Sequence, residues 1–148
     1  MFATYDRSGI SFAYPDNWTL EEDSDDEARL NLTVTSPNTA FWTLIVYADS
    51  LDLPHVVSQA VEALKGEYPE LETTDAPEEI AEVKLTGVDA SFFYLDLTST
   101  CRVRACHRGG STYLILSQSE DRELKTAGPV FAAITQSLLG EAPTPDVD

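Results

Sequence analysis

Two adjacent glycines, Gly109-Gly110, lie between two runs of strand-forming residues and constrain this chain more than any other feature. Cys101–His107 precedes them and Ser111–Gln118 follows. A two-residue connection with φ > 0 at both positions closes a β-hairpin, and the pairing register follows from the loop length. Arg104 is then opposite Ile115, Arg102 opposite Ser117 and Cys106 opposite Tyr113. A third run, Ala90–Leu97, lies upstream, so Val88–Ser119 reads as a three-strand meander. Val103, Ala105, Leu114 and Leu116 share one face of it as core. Arg102 and Arg104 share the other, with Arg108 at the turn.

The flanking sequence supplies a sheet and its cover. Gly9–Tyr14 alternates, with Ile10, Phe12 and Tyr14 on one side; Pro15-Asp16-Asn17 turns, and Trp18–Leu20 resumes the alternation. Leu30, Leu32 and Val34 alternate with Asn31, Thr33 and Thr35, a strand with one wet face. Phe41–Ala48 and Ala90–Leu97 are apolar on both faces, which predicts helices on both sides of the sheet. Pro54 at a first turn, capped by Asp52 or Leu53, opens a helix whose buried stripe is Val57, Val61, Leu64 and Tyr68. Tyr68–Glu79 is an acidic connector with a short strand at Leu71–Thr74, and Ile80–Leu85 is a further strand that turns at Thr86–Asp89. A last segment from Ser119 is expected to break at Gly128-Pro129 and restart as a helix with Phe131, Ile134 and Leu138 inward. Strands in meanders with segregated helices define an α+β fold with a mostly antiparallel sheet. We expect a single domain over residues 1–139 and a mobile acidic, proline-containing tail over residues 140–148.

Charge and cysteine usage narrow the function. The chain has 148 residues and a net charge of −17, which repels polyphosphate and anionic bilayers, so neither nucleic acid nor membrane is an expected partner. Met1–Arg7 has no basic region followed by an apolar core, so a cytoplasmic location is expected. Cys101 and Cys106 sit five apart on one strand and face opposite ways, as two reduced structural thiols would. Glu21–Glu27 places six carboxylates in seven positions. It lacks the glycine and glutamate of a calcium loop and is expected to be a solvated loop.

At this point the chain resembles the PsbP-like superfamily, which contains the extrinsic PsbP protein of photosystem II, the yeast Ran-binding Mog protein and many small bacterial proteins of unknown function. Gly9–Trp18, a strand, a proline turn and a tryptophan, carries the likeness at one end, and Phe131–Leu138, like the family's closing helix, carries it at the other. The element order matches over about residues 5–139. The resemblance implies an α-β-α sandwich and no catalytic residues, since the superfamily consists mostly of binding and assembly factors. A related branch serves as chaperones for type VI secretion effectors. This chain is expected to depart from the photosynthetic members, with neither a targeting segment nor a lysine-rich surface.

Catalytic patterns are weak. Cys106 and His107 are sequence neighbours that a strand points apart, and no Gly-x-Ser-x-Gly elbow, phosphate loop or zinc spacing is present. His55, in a helical first turn without a ligand-type partner, reads as a surface residue. Three of the nine basic residues, Arg102, Arg104 and Arg108, fall within seven positions of a strongly acidic chain. Two readings stand. They neutralise nearby carboxylates, or, with Tyr113, they anchor an acidic partner. Asp96 is a candidate to face Arg102, although Thr98–Thr100 leaves that register open. The expected function is a non-catalytic binding or adaptor domain without cofactor or metal, in its sharper form an assembly factor or chaperone with an apolar groove among Trp42, Tyr47 and Phe93. The alternative is a small-molecule-binding protein or hydrolase with a pocket between sheet and helix.

Overall fold

The structure, a computed structural model, describes residues 1–7, 9–23 and 30–140. In chain order the elements are β1 (Phe2–Arg7), β2 (Ile10–Pro15), β3 (Thr19–Asp23), β4 (Leu30–Thr35), β5 (Phe41–Tyr47), α1 (Leu53–Glu67), β6 (Glu72–Asp75), β7 (Glu78–Ile80), β8 (Val83–Tyr94), β9 (Leu97–Arg108), β10 (Ser111–Glu120) and α2 (Leu124–Gly140). The main sheet runs β3-β4-β5-β10-β9-β8-β6, with β7 also on β8, and every pairing is antiparallel. β1 and β2 form a separate two-stranded hairpin.

The meander register is as expected: Arg104 pairs with Ile115, Arg102 with Ser117 and Cys106 with Tyr113. Three strand bounds differ. Ile80–Leu85 is not one strand, because Ala81-Glu82 is the turn that joins β7 to β8. Thr86–Asp89 is not a turn but lies inside β8, and the β8–β9 connection is Leu95-Asp96 rather than Thr98–Thr100. Asp96 therefore occupies the turn, and the residue across from Arg102 is Asp89.

Each face of the sheet has its own core. On one, Leu32, Val34, Trp42, Leu44, Val46, Cys106, Tyr113 and Ile115 pack against Phe131, Ile134, Leu138 and Leu139 of α2 and against Tyr5, Ile10 and Phe12 of the β1–β2 hairpin. Phe12 lies 5.3 Å from Tyr5 and 5.0 Å from Trp42 between ring centroids. The buried Trp42 indole donates to Thr135 Oγ1 at 2.9 Å, and Ser137 Oγ accepts from the Ala13 amide at 2.9 Å, so α2 is tied to both layers. On the other face, Phe92, Cys101, Val103, Ala105 and Leu114 pack under Val56 and Val57 of α1.

The helices follow their sequence signals with one exception. Asp52 caps α1 by accepting from the His55 amide at 3.1 Å, with Pro54 in the first turn. α2 does not break at Gly128-Pro129; it runs through Pro129 as one helix. Proline removes one helical hydrogen bond, here to Lys125, but Ala127, Gly128 and Phe131 are buried on either side and packing holds the helix together. Of the acidic run, Glu21–Asp23 belongs to edge strand β3, and the rest lies outside the described residues. The tail expected beyond Gly140 also lies outside them.

Candidate partner-binding site

The arginine strip resolves into three environments. Arg104 is 8% exposed and lies inside the protein. Its Nε donates to Glu78 Oε1 at 2.6 Å, and its Nη1 lies 2.8 Å from Asp89 Oδ1 while also donating to the Val88 and Val103 carbonyls. Gly87, opposite Arg104 on β8, makes room for its stem. This group fastens β7 to the sheet. Tyr113, also 8% exposed, belongs to the core. Arg102 is half-buried, with Nη2 3.9 Å from where a Cβ on Gly128 would stand, so it lies along α2. Arg108 is half-buried at the end of β9. Arg104 and Tyr113 are thus not surface groups: Glu78 of β7 and Asp89 of β8 enclose Arg104, and Tyr113 packs in the core under α2 and the β1–β2 hairpin.

The cysteines and histidines are separated in the same way. Cys101 lies in the core under α1 and Cys106 in the core under α2. Burial pushes their thiols up to about 12 and about 11, away from the thiolate that nucleophilic chemistry needs. His107 is exposed, and its Nε2 lies 2.6 Å from the Leu51 carbonyl. Thr112 beside it accepts from the Leu51 amide and donates to the Asp49 carbonyl, pinning the entry to α1. His55 is exposed, as expected. Among the described residues no group of three or more His, Cys, Asp or Glu side chains is placed to hold a metal ion.

What the surface does offer is the tip of the β8–β9 hairpin. Its two strands are the longest in the sheet at 12 residues each, and β6 pairs with β8 only as far as Ser91. Phe92 turns inward and stacks on Tyr68 at 4.0 Å, while Phe93 points to the opposite side and is 75% exposed. Leu95, in the turn, is 78% exposed. Leu95 and Asp96 have φ of 51° and 65°. Two successive positive φ values make the tight turn that suits a hairpin, yet a leucine in that region costs about 1–2 kcal/mol relative to glycine. Strain in the backbone and apolar area in water coincide at one place. Of the groove expected among Trp42, Tyr47 and Phe93, Trp42 is fully buried, Tyr47 half-buried, and Phe93 stands apart at the tip.

Two open clefts flank α1. One, about 590 Å³, lies between α1 and the β6–β8 edge, with Val57, Val61 and Val88 at its base and Lys65 and Lys84 on its walls. The other, about 520 Å³, lies over Ile45, Tyr47, Leu114 and Leu116.

A twisted antiparallel sheet with one helix on one face, and a second helix plus a terminal hairpin on the other, is the PsbP-like fold. Among solved structures it is similar to the cyanobacterial PsbP of Synechocystis sp. PCC 6803, with a TM-score of 0.64 at 9% identity over 92% of this chain and 90% of that one. It is similar to LpqN of Mycobacterium tuberculosis, a protein involved in cell envelope biogenesis (TM-score 0.54, 16% identity, 90% and 87% covered). A Pseudomonas aeruginosa protein of unknown function, a putative regulator, matches end to end, with 97% and 98% covered, a TM-score of 0.53 and 13% identity. No family model and no curated protein sequence matches the chain. The likeness is one of fold.

Proposed function

We propose that this protein is a non-catalytic binding domain that docks a protein partner through the tip of the β8–β9 hairpin. The supporting observation is the coincidence just described: Phe93 and Leu95 held in water on a backbone that disfavours leucine. An apolar anchor on a tight hairpin turn is a form that interface hot spots take, with a few large side chains carrying most of the affinity. The raised thiol pKa values of Cys101 and Cys106 weigh against nucleophilic turnover. The test is a pair of double variants in a co-purification experiment. Phe93→Ser/Leu95→Ser is expected to lose the partner, while Ala81→Asn/Glu82→Gly at the other non-glycine hairpin keeps it. Retention by the tip variant contradicts the proposal.

A small-molecule-binding reading has its own observation: two of the three lysines, Lys65 and Lys84, line the cleft of about 590 Å³ above an apolar base. It predicts a rise in melting temperature with a panel of amphipathic carboxylates and is removed if no member of the panel shifts it.

A further inference from the structure

We infer that the surface seated on this tip is a basic protein surface with an apolar pocket; the inference rests on the binding-domain reading and adds the chemistry of the partner. Phe93 and Leu95 stand among carboxylates. Asp96 is exposed within the turn itself. Asp121 is exposed at the base, its amide donating to the Thr98 carbonyl at 2.8 Å and its Oδ1 accepting from Thr100 at 2.7 Å. Glu72 is exposed opposite Ser91, two residues from Phe93, and Glu70 is exposed at the start of the same strand connection. Arg122, next to Asp121, is held by Glu120 at 3.0 Å. The Asp121 carboxylate is thus held at the base of the hairpin by the Thr100 hydroxyl, and its backbone by the Thr98 carbonyl opposite Phe93.

The whole molecule adds its net charge of −17. A second copy of this chain would bring the same carboxylates and the same field, so self-association through the tip is opposed. An anionic lipid surface is opposed for the same reason. A basic partner is drawn in by both the local collar and the overall field, and its lysines and arginines would meet Asp96 and Asp121 at the rim while a pocket takes Phe93 and Leu95.

The experiment replaces Phe93 in the full chain with p-benzoylphenylalanine, irradiates it in native extract and sequences the cross-linked peptides. The same photoreactive residue at Glu82 is the control. We expect cross-links to segments rich in Lys and Arg next to an apolar patch, with yield falling about tenfold or more between about 50 mM and about 500 mM salt. Cross-links to neutral or acidic segments, to lipid, or to a second copy overturn the basic-partner inference, as does a salt-independent yield. No cross-linking above the Glu82 control overturns the binding-domain reading itself.

Discussion

Gly87 decides how closely the outer strands approach Arg104. A Cβ there would lie 2.5 Å from the Ala76 carbonyl oxygen and 2.7 Å from Arg104 Cδ, and the first of these is backbone that cannot step aside. Gly87→Ala is therefore expected to lose about 1–3 kcal/mol in urea unfolding. At the same scale, Cys101 and Cys106 make a pH prediction. Their thiols ionise near 9.0 when unburied and only near 12 and 11 in the folded protein. The unfolded chain releases these protons first, so the stability they contribute is intact below pH 9 and declines as pH rises towards about 11–12. Melting temperature should fall over that window, and Cys101→Ala/Cys106→Ala should flatten the fall. Thiol labelling of the native protein should be as slow as unfolding. The opposite facing of the two cysteines was legible in the strand period. The burial of Arg104 and Tyr113 was not, because Arg104 is enclosed by Glu78 and Asp89 and Tyr113 by α2 and the β1–β2 hairpin, all more than ten positions away in sequence.

Three two-residue hairpins punctuate the sheet, at Ala81-Glu82, Leu95-Asp96 and Gly109-Gly110, and all six residues have positive φ. Only the glycine pair announces itself in sequence. The other two carry residues that are uncommon in the turn they make, so in sequence Thr86–Asp89 and Thr98–Thr100 look more like the connections than Ala81-Glu82 and Leu95-Asp96 do. Replacing Leu95-Asp96 with Asn-Gly, or Ala81-Glu82 with Asn-Gly, relieves the backbone, and each change is expected to raise stability by about 1 kcal/mol by denaturant unfolding. The two should diverge in binding: the Leu95→Asn/Asp96→Gly chain gains stability and loses partner, and the Ala81→Asn/Glu82→Gly chain gains stability alone. α1 is legible in its cap and proline, and α2 only in its second half, because Pro129 looks like a boundary until the packing around it is seen.

Across the whole molecule, −17 of charge is spread over a fold held by two apolar layers. Self-repulsion of this size is screened over about 8–10 Å at physiological ionic strength, so melting temperature should rise between low salt and about 0.3 M sodium chloride. A flat response would mean that the carboxylates are locally compensated. The sandwich was legible because Phe41–Ala48 and Ala90–Leu97 are apolar on both faces in sequence, which points to a sheet covered on both sides. The exposed hairpin tip was not, since Phe93 reads as part of a groove with Trp42 and Tyr47, and Leu95 as mid-strand, until the turn at Leu95-Asp96 is seen. The most direct measurement is amide chemical-shift mapping of the full chain titrated with its co-purified partner. The largest changes are predicted over Phe92–Leu97, with α1 unperturbed; changes concentrated along Val57–Lys65 and β8 at Lys84–Val88, with the tip unmoved, would contradict it.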